Sequence, residues 1–332
     1  MKIVYAVESL GMSGGVKVIV EHAEGLAERG HDVSIVTKDA RHDWMPIRVP
    51  VSEVARFDAF TLPRADVHVA TWFPTVVPVS RAGRARRIFH FSQGYEAVYP
   101  HVADRLGEID AAYREPLPKL LISAHLVPLL SGKFPGPFHV LPQAIRVEDY
   151  RPREDRSTPH VPAVVGVVGP FEAENKGIPF ALEAVRRLRA EGRGVRLHRA
   201  SQLALSDGEG ALLAPDEYRH GATVAEMTDF YRGLDLLLHP SFEAEGFPLP
   251  PLEAMASGVP VVLTDIPSYG PIPREAAAFV PPGDAAALAH EAARLLDDAA
   301  LWRTRRRLGL EAASCFTLAP VLDRLERLFA EV

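Results

Sequence analysis

The chain has 332 residues, of which 47% are hydrophobic and 24% charged, a globular composition long enough for two α/β domains. The net charge is −6 and neither half is basic, which excludes nucleic acid as the expected partner. The single cysteine, Cys315, excludes an internal disulfide framework. We see no signal peptide and no apolar run of about 20 residues that could span a membrane. We therefore expect a cytoplasmic protein, with peripheral membrane contact left open.

The first half alternates strands and helices. An apolar run at 3–7 predicts a buried strand, and a glycine-rich loop leads from it into an amphipathic helix. Gly30 ends that helix, and 33–37 is the next strand. This order predicts a right-handed parallel unit. The segment 39–64 has no clear pattern, and the strand series continues at 67–71, 87–91, 120–123 and 139–141.

A proline-rich, charged segment at 151–162 predicts a linker, after which a second α/β series begins. We predict a first domain over 1–155, a second over 156–315, and a C-terminal helix within 316–332 that packs back on the first. Two Rossmann-like domains of this kind face each other and bind ligands in the cleft between them. The predicted elements of the second series are strands at 163–168, 195–199, 236–239 and 259–264, and helices at 178–190, 227–234, 250–257, 288–296 and 318–330.

Two glutamates mark the segment SFEAEGFPLPPLEAMASGVPVV, residues 241–262. Glu245 lies in a loop after a buried strand, and Glu253 is expected in the first turn of the helix opened by two prolines. Alone, each has an ordinary explanation, a surface charge or an interaction with the helix dipole. Together they flank backbone N–H groups at a helix N-terminus, which predicts an anion site beside a carboxylate able to accept from paired hydroxyls. Because prolines cannot donate, the backbone donors are those of Gly246, Phe247, Leu249 and Leu252.

The stretch EGFPLPPLE followed by AMASGVPVV resembles the signature of family 4 retaining glycosyltransferases, which have the GT-B fold. Weaker resemblances follow in the family's order along most of the chain. They are Gly14-Gly15, Ser123 in LLISAH, VLPQAIRVEDYRP at 140–152, VVGPFEAENKG at 167–177 and PPGDAAALA at 281–289. The resemblance implies an α/β fold of the GT-B type.

The same resemblance implies roles for individual residues. Glu253 is expected to hold the ribose hydroxyls of a nucleoside-diphosphate sugar, Glu245 to lie near the donor sugar, and Lys176 to contact the diphosphate. Gly15 would let the backbone approach the phosphate. The implied donor site comprises Gly14, Gly15, Gly169, Lys176, Arg199, Glu245, Gly246, Phe247, Leu249 and Glu253.

The chain also departs from the family pattern. Pro170 stands where an arginine is usual, and Arg199 is a candidate replacement for that charge. The family histidine near the reacting sugar falls on Gln93, and His90 lies three residues earlier. The catalytic candidates are therefore Glu245, Lys176, Gln93 and His90. The run QGYEAVYP, 93–100, is similar to a stretch of rhamnan-type bacterial glycosyltransferases.

The acceptor is a saccharide, a lipid-linked molecule or a small molecule, and the sequence does not choose between them. Trp72, Phe73 and Tyr95 are candidates for stacking on it, with core or interdomain packing as the alternative. A basic cluster is explained either as a solvated edge or as a surface for an anionic acceptor or a lipid headgroup. Its members are Arg81, Arg84, Arg86 and Arg87.

The resemblance implies a retaining transfer. A metal-dependent mechanism is not expected, because no Asp-x-Asp pair and no metal-ligand spacing is present, and we expect no cofactor. Two further enzyme classes share the fold, sugar-nucleotide epimerases and glycosyl phosphorylases. We can place neither the extra carboxylates of the first nor the pyridoxal lysine of the second. A catalytically weak nucleotide-binding subunit stays open. A dinucleotide dehydrogenase is excluded, since no strand is followed by Gly-x-Gly-x-x-Gly. The oligomeric state is not predicted.

Overall fold

The computed structural model describes residues 1–154 and 156–331, and its chain divides into two compact units. The first comprises residues 1–144 together with the chain from Leu318 onward, and the second comprises Ile145–Thr317. The change of unit thus falls before the predicted boundary at 155. Asp155 itself lies outside the described residues. No helix in the described ranges is long and apolar enough to cross a membrane.

The first unit is built on a seven-stranded, fully parallel sheet. Its spatial order is β3-β2-β1-β4-β5-β6-β7. Strands β2 and β3 are added on one side of β1, and β4 to β7 are added on the other, so the order of the strands reverses between β1 and β4. Reversals of this kind place ligand sites at the carboxyl ends of the strands. The strands are β1 (Lys2–Val7), β2 (Asp32–Thr37), β3 (Val51–Glu53), β4 (Ala65–Ala70), β5 (Ala85–Ser92), β6 (Lys119–Leu121) and β7 (Phe138–Val140).

Helices cover this sheet because the strands between them are apolar on both faces. Ser13 caps the first helix by accepting the N–H of Val16 at 3.1 Å. Pro74 fits the first turn of the second, where no N–H partner is lost. The helices are α1 (Gly14–Glu28), α2 (Phe73–Ala82), α3 (Leu106–Arg114) and α4 (Leu126–Ser131).

The second unit has a six-stranded parallel sheet in the order β10-β9-β8-β11-β12-β13. The central strands β8 and β11 are neighbours, so the loops that follow them leave the sheet side by side. The strands are β8 (Ala163–Val168), β9 (Val195–Ser201), β10 (Glu217–His220), β11 (Leu236–His239), β12 (Val261–Thr264) and β13 (Ala278–Val280).

The core of the second unit lies between this sheet and its helices, and it is made almost entirely of Val, Leu, Ile and Ala. Burial of these side chains is the main stabilising contribution, about 25 cal/mol for each Å² of apolar surface removed from water. The helices are α5 (Ile178–Ala190), α6 (Asp207–Leu213), α7 (Val224–Arg232), α8 (Leu249–Ala256), α9 (Ala285–Asp297) and α10 (Ala299–Ala313).

The C-terminal helix, α11 (Leu318–Ala330), belongs to the first unit and contacts α1. Arg29 at the end of α1 lies 2.7 Å from both Asp323 and Glu326. A Cβ on Gly25 would meet Leu322 Cδ1 at 2.6 Å, so a glycine is needed for this close approach. The unit therefore combines the two ends of the chain.

The predicted strands and helices are present with small shifts in their bounds, and two parallel α/β sheets are confirmed. The missed strands are β3, β10 and β13, each three or four residues long at or next to a sheet edge. β3 and β10 are polar and little buried, so they lack the apolar run by which a strand is recognised. β13 is apolar and has two buried residues, but it is only three residues long.

Candidate active site

Two loops of the second unit carry Lys176 and Glu245, two of the residues predicted for the donor site. One follows β8 and runs from Gly169 to Gly177, and the other follows β11 and runs to α8. They are joined directly, because Phe242 N–H donates to Asn175 O at 2.8 Å. Gly177 has φ 61°, and a Cβ there would lie 2.1 Å from Pro240 O. The close packing of the two loops therefore requires a glycine at position 177.

Lys176 and Glu245 form an ion pair across these loops, with Nζ 2.7 Å from Oε1. Asn175 Nδ2 also donates to that oxygen at 2.8 Å. The glutamate is 6% exposed, whereas the lysine side chain keeps 25% of its surface. The pair presents a cation at the loop surface and holds the carboxylate beneath it. Asn175 is a site residue that the sequence did not single out, although it adjoins Lys176.

Glu253 lies in the second turn of α8 and not in the first as predicted, because the helix begins earlier, at Leu249. Its carboxylate accepts two phenolic hydrogen bonds, from Tyr150 to Oε1 and from Tyr231 to Oε2, both at 2.8 Å. All three side chains are buried. The two tyrosines were missed, since an aromatic residue in a linker or a helix normally indicates packing.

The other donor-site candidates on the second loop are buried. Gly246 and Phe247 lie just before α8, and Leu249 is its first residue. The Phe247 ring lies 5.9 Å from that of Phe316. Packing of this side chain therefore fixes the course of the loop that carries Glu245.

Arg199 does not supply the missing phosphate charge. Its side chain is fully buried and pairs with Glu209 at 2.6 Å. Its remaining N–H groups donate to Val167 O at 2.7 Å and to Gly169 O at 2.8 Å. Arg199 thus shapes the first loop from within, and its guanidinium is not available to a diphosphate. Arg199 therefore does not replace the charge of the arginine that is usual at the position of Pro170.

A buried network supports the second loop from below. Tyr269 Oη lies 2.6 Å from His239 Nδ1, and Ser241 Oγ lies 3.2 Å from the same nitrogen. Thr264 in turn donates to Ser241 O. Burial lowers the pKa of His239 to about 3, so the imidazole is neutral and accepts from the tyrosine. This neutral histidine positions the start of the loop.

In the first unit, the carboxyl ends of β1, β4 and β5 surround a cavity of about 460 Å³. Gln93 and Gly15 both line it, and Gln93 Nε2 donates to Gly15 O at 3.0 Å. Gly14 is exposed at the start of α1. Trp72 lies on the cavity wall, as does the buried Glu96. The sequence candidates Gly15, Trp72 and Gln93 are therefore brought together.

Glu96 is a wall residue that the sequence did not identify. Its Oε2 lies 2.6 Å from the hydroxyl of the buried Tyr113, which is 2.7 Å from Ser92 Oγ. Burial raises the pKa of Glu96 to about 7. The carboxyl group therefore changes protonation state near neutral pH, at the edge of a cavity that can take a ligand.

Of three other candidates in the first unit, two are core residues and the third, Tyr95, is partly buried and packs against the core. His90 is fully buried with its ring 4.8 Å from that of Tyr113, and it does not line the cavity. Burial lowers its pKa to about 3. Phe73 is 1% exposed under the guanidinium of Arg105. Tyr95 packs edge-on against Tyr113 and does not line the cavity. Neither aromatic ring is placed to stack on an acceptor.

No group of three or more His, Cys, Asp or Glu side chains within residues 1–154 and 156–331 has the geometry to hold a metal ion. The carboxylates of Glu245, Glu253 and Glu96 contact lysine, asparagine or tyrosine side chains.

Residues 162–298, most of the second unit, match the family of glycosyl transferases group 1. The match confirms, over these residues, the resemblance found in the sequence, and the relatives support glycosyltransferase activity. The chain is similar to MMP alpha-(1->4)-mannosyltransferase of Mycolicibacterium hassiacum, with 29% identity over an alignment that covers 89% of this chain and 88% of the relative.

Solved structures show the same fold. HepE of Anabaena in complex with UDP-glucose has a TM-score of 0.81 and 14% identity, with all of both chains covered. Sucrose-phosphate synthase of Thermosynechococcus elongatus has a TM-score of 0.77 and 17% identity, covering 99% of this chain and 98% of that one. At these identities the likeness concerns the GT-B fold.

Proposed function

We propose that this glycosyltransferase moves a hexosyl group from a nucleoside-diphosphate sugar to an acceptor hydroxyl, with retention of anomeric configuration and without a metal ion. The observation that carries the proposal is the Lys176–Glu245 ion pair, which joins two loops at the carboxyl edge of one sheet. Glu253 lies in α8, the helix that follows the second of these loops. A cation and hydroxyl-accepting carboxylates are the groups that a nucleotide sugar requires.

Each residue has a separate role in this proposal. Lys176 contacts the diphosphate and stabilises the charge that develops on it as the sugar leaves. Glu245 and the amides of Gly246 and Phe247 bind hydroxyls of the donor sugar. Glu253 binds the ribose hydroxyls. HepE, a structural neighbour, was solved with UDP-glucose, which supports a nucleotide sugar as the donor here.

Retention follows if the acceptor attacks from the face that the diphosphate leaves. The bond between the anomeric carbon and the phosphate oxygen breaks, and the bond to the acceptor oxygen forms on the same face. The acceptor proton passes to the departing phosphate oxygen. This route requires no protein nucleophile, no metal ion and no cofactor, and Lys176 carries the electrostatic stabilisation.

The cavity of the first unit is the proposed acceptor site. Its wall includes the aromatic residue Trp72 and the polar residues Gln93 and Glu96. The acceptor class stays open among saccharides, lipid-linked molecules and small molecules. We place the reaction in the cytoplasm. The mannosyltransferase relative makes mannosyl transfer the first reaction to assay.

The test is an assay of purified protein with UDP-, GDP-, ADP- and dTDP-hexoses, a panel of acceptors, and added EDTA. We expect product with the donor's anomeric configuration by NMR, and activity unchanged by the chelator. An inverted product would contradict retention, and loss of activity with EDTA would contradict metal independence.

Incubation with the donor alone tests the rival functions. Conversion of the donor into an epimer without acceptor would identify an epimerase. Nucleotide binding without transfer to any acceptor would instead favour a catalytically weak binding subunit, for which Pro170 and Gln93 are the departures from the family pattern.

A further inference from the structure

We infer that Tyr150 and Tyr231 hold the carboxylate of Glu253 in a fixed orientation, in which it accepts hydrogen bonds from both hydroxyls of the ribose diol. The protein therefore selects ribonucleoside-diphosphate donors against 2′-deoxyribonucleoside donors. This inference rests on the proposed function, in which Glu253 binds the ribose. It goes further by naming the class of donor and two residues that set it.

The carboxylate of Glu253 is held at both oxygens. Tyr150 donates to Oε1 and Tyr231 to Oε2, each at 2.8 Å, so the plane of the group is fixed. A phenol has one proton to give, and a carboxylate that receives two such protons acts as an acceptor only. A ligand group that binds it must then be a donor. The hydroxyls of a vicinal diol match this requirement.

Burial and packing hold the side chains of Tyr150 and Tyr231 in place, so they do not move with a ligand that binds in a shifted position. Tyr231 is fully buried in α7 and Tyr150 is 3% exposed, and their rings pack edge to face at 6.2 Å. Burial and the charge of Glu253 raise the pKa of Tyr231, so it keeps its proton throughout the neutral range. The carboxylate, itself 7% exposed, therefore cannot rotate to recover a hydrogen bond that a ligand fails to supply.

The energetic consequence is discrimination between sugars that differ by one hydroxyl. A site built to bind a hydroxyl strongly rejects the analogue that lacks it, because a buried polar group loses its hydrogen bond. A 2′-deoxyribose removes one of the two hydroxyls that face Glu253. Donors built on UDP, GDP or ADP satisfy the site, and donors built on dTDP do not.

The experiment measures dissociation constants by calorimetry for UDP, GDP and ADP and for their 2′-deoxy forms. We expect the wild-type protein to bind the preferred ribonucleotide at least about tenfold more tightly than its deoxy form. In Tyr231→Phe and Tyr150→Phe the ribonucleotide should weaken about three- to tenfold while the deoxy form changes little, so that the ratio falls.

Tyr5→Phe is the matched control, because Tyr5 is buried in the first unit and its hydroxyl has no hydrogen-bond partner among residues 1–154 and 156–331. Its ratio should equal that of the wild type. Thermal unfolding of each variant verifies that it is folded at the temperature of the titration.

Two outcomes overturn the inference. Equal affinity of the wild type for the ribonucleotide and its deoxy form would show that the protein does not recognise the ribose diol. Equal weakening of both forms in the tyrosine variants would show that the tyrosines support the fold alone. Absence of binding by every nucleotide would instead remove the proposed donor site, and with it this inference.

Discussion

Lys176 Nζ lies 2.7 Å from Glu245 Oε1, so the cation proposed for the diphosphate is already neutralised by the carboxylate proposed for the sugar. A partly buried ion pair of this kind holds both side chains in one geometry before a donor arrives. Binding of a diphosphate would share the lysine between two anions. The lysine is therefore prepositioned, which reduces the reorganisation needed in the transition state.

Replacing Lys176 with methionine should lower turnover more than donor affinity, because the charge on the leaving diphosphate is greatest in the transition state. We expect kcat to fall by about 10²-fold and KM for the donor to change by less than about fivefold. Steady-state kinetics measures both. Arg187→Met removes an exposed ion pair with Glu183 on α5 and serves as the control. An unchanged kcat in Lys176→Met would contradict the assigned role.

Gly177→Ala should destabilise the protein strongly, since the added Cβ would lie 2.1 Å from Pro240 O in a left-handed backbone conformation. Gly192 has a similar φ of 81°, but a Cβ there has nothing within 4 Å. Gly192→Ala therefore carries the backbone strain alone, about 1 kcal/mol, and we expect Gly177→Ala to lose more than about 3 kcal/mol.

Denaturant unfolding of the two glycine variants supplies this comparison directly. A similar loss of unfolding free energy in both would show that the loops are not locked at Pro240. A larger loss in Gly177→Ala, accompanied by a higher KM for the donor, is the result we expect.

His90→Phe should reduce the sensitivity of the fold to acid. Burial lowers the pKa of His90 to about 3, below its ordinary value of 6.5, so the unfolded chain takes up a proton that the folded one does not. The unfolding free energy contributed by the neutral histidine is complete above pH 6.5 and falls by up to about 1.4 kcal/mol per unit as the pH drops toward 3.

The check on His90 is unfolding by urea at pH 7.5 and at pH 5. The loss of stability between these two values should be smaller in His90→Phe than in the wild type. Leu10→Met, a volume-conserving change at another buried position of the first unit, is the control and should keep the wild-type loss. An equal loss in His90→Phe would mean that His90 is protonated in the folded protein.

The sequence indicated candidate site residues where the signals are local. Glu245, Glu253 and Lys176 each lie in a short run with its own turn and helix residues, and the structure places all three in the second unit. The partners of these residues were not predicted, because they come from distant segments. Tyr150, for example, precedes Glu253 by 103 residues. Only the folded sheet order brings such residues together.

The sequence also did not show which side chains of a buried strand face the core and which face a ligand. Residues 89–92 of β5 are buried on both faces of the sheet, so the two-residue alternation that separates core from ligand-facing positions is absent. His90 and Gln93 were therefore equal candidates in the sequence, whereas the structure puts one in the core and the other on the cavity wall. Arg199 was misjudged for the same reason, as a charged residue in a buried strand.

The central claim is that the second unit binds a nucleotide through Glu253, and calorimetry on Glu253→Ala tests it most directly. The titrants are UDP, GDP, ADP and dTDP, with the wild type as reference. We expect the nucleotide that the wild type binds best to lose at least about tenfold in affinity, since a buried hydrogen-bond acceptor for its ribose is gone. An affinity equal to that of the wild type, in a variant that stays folded, would contradict the account.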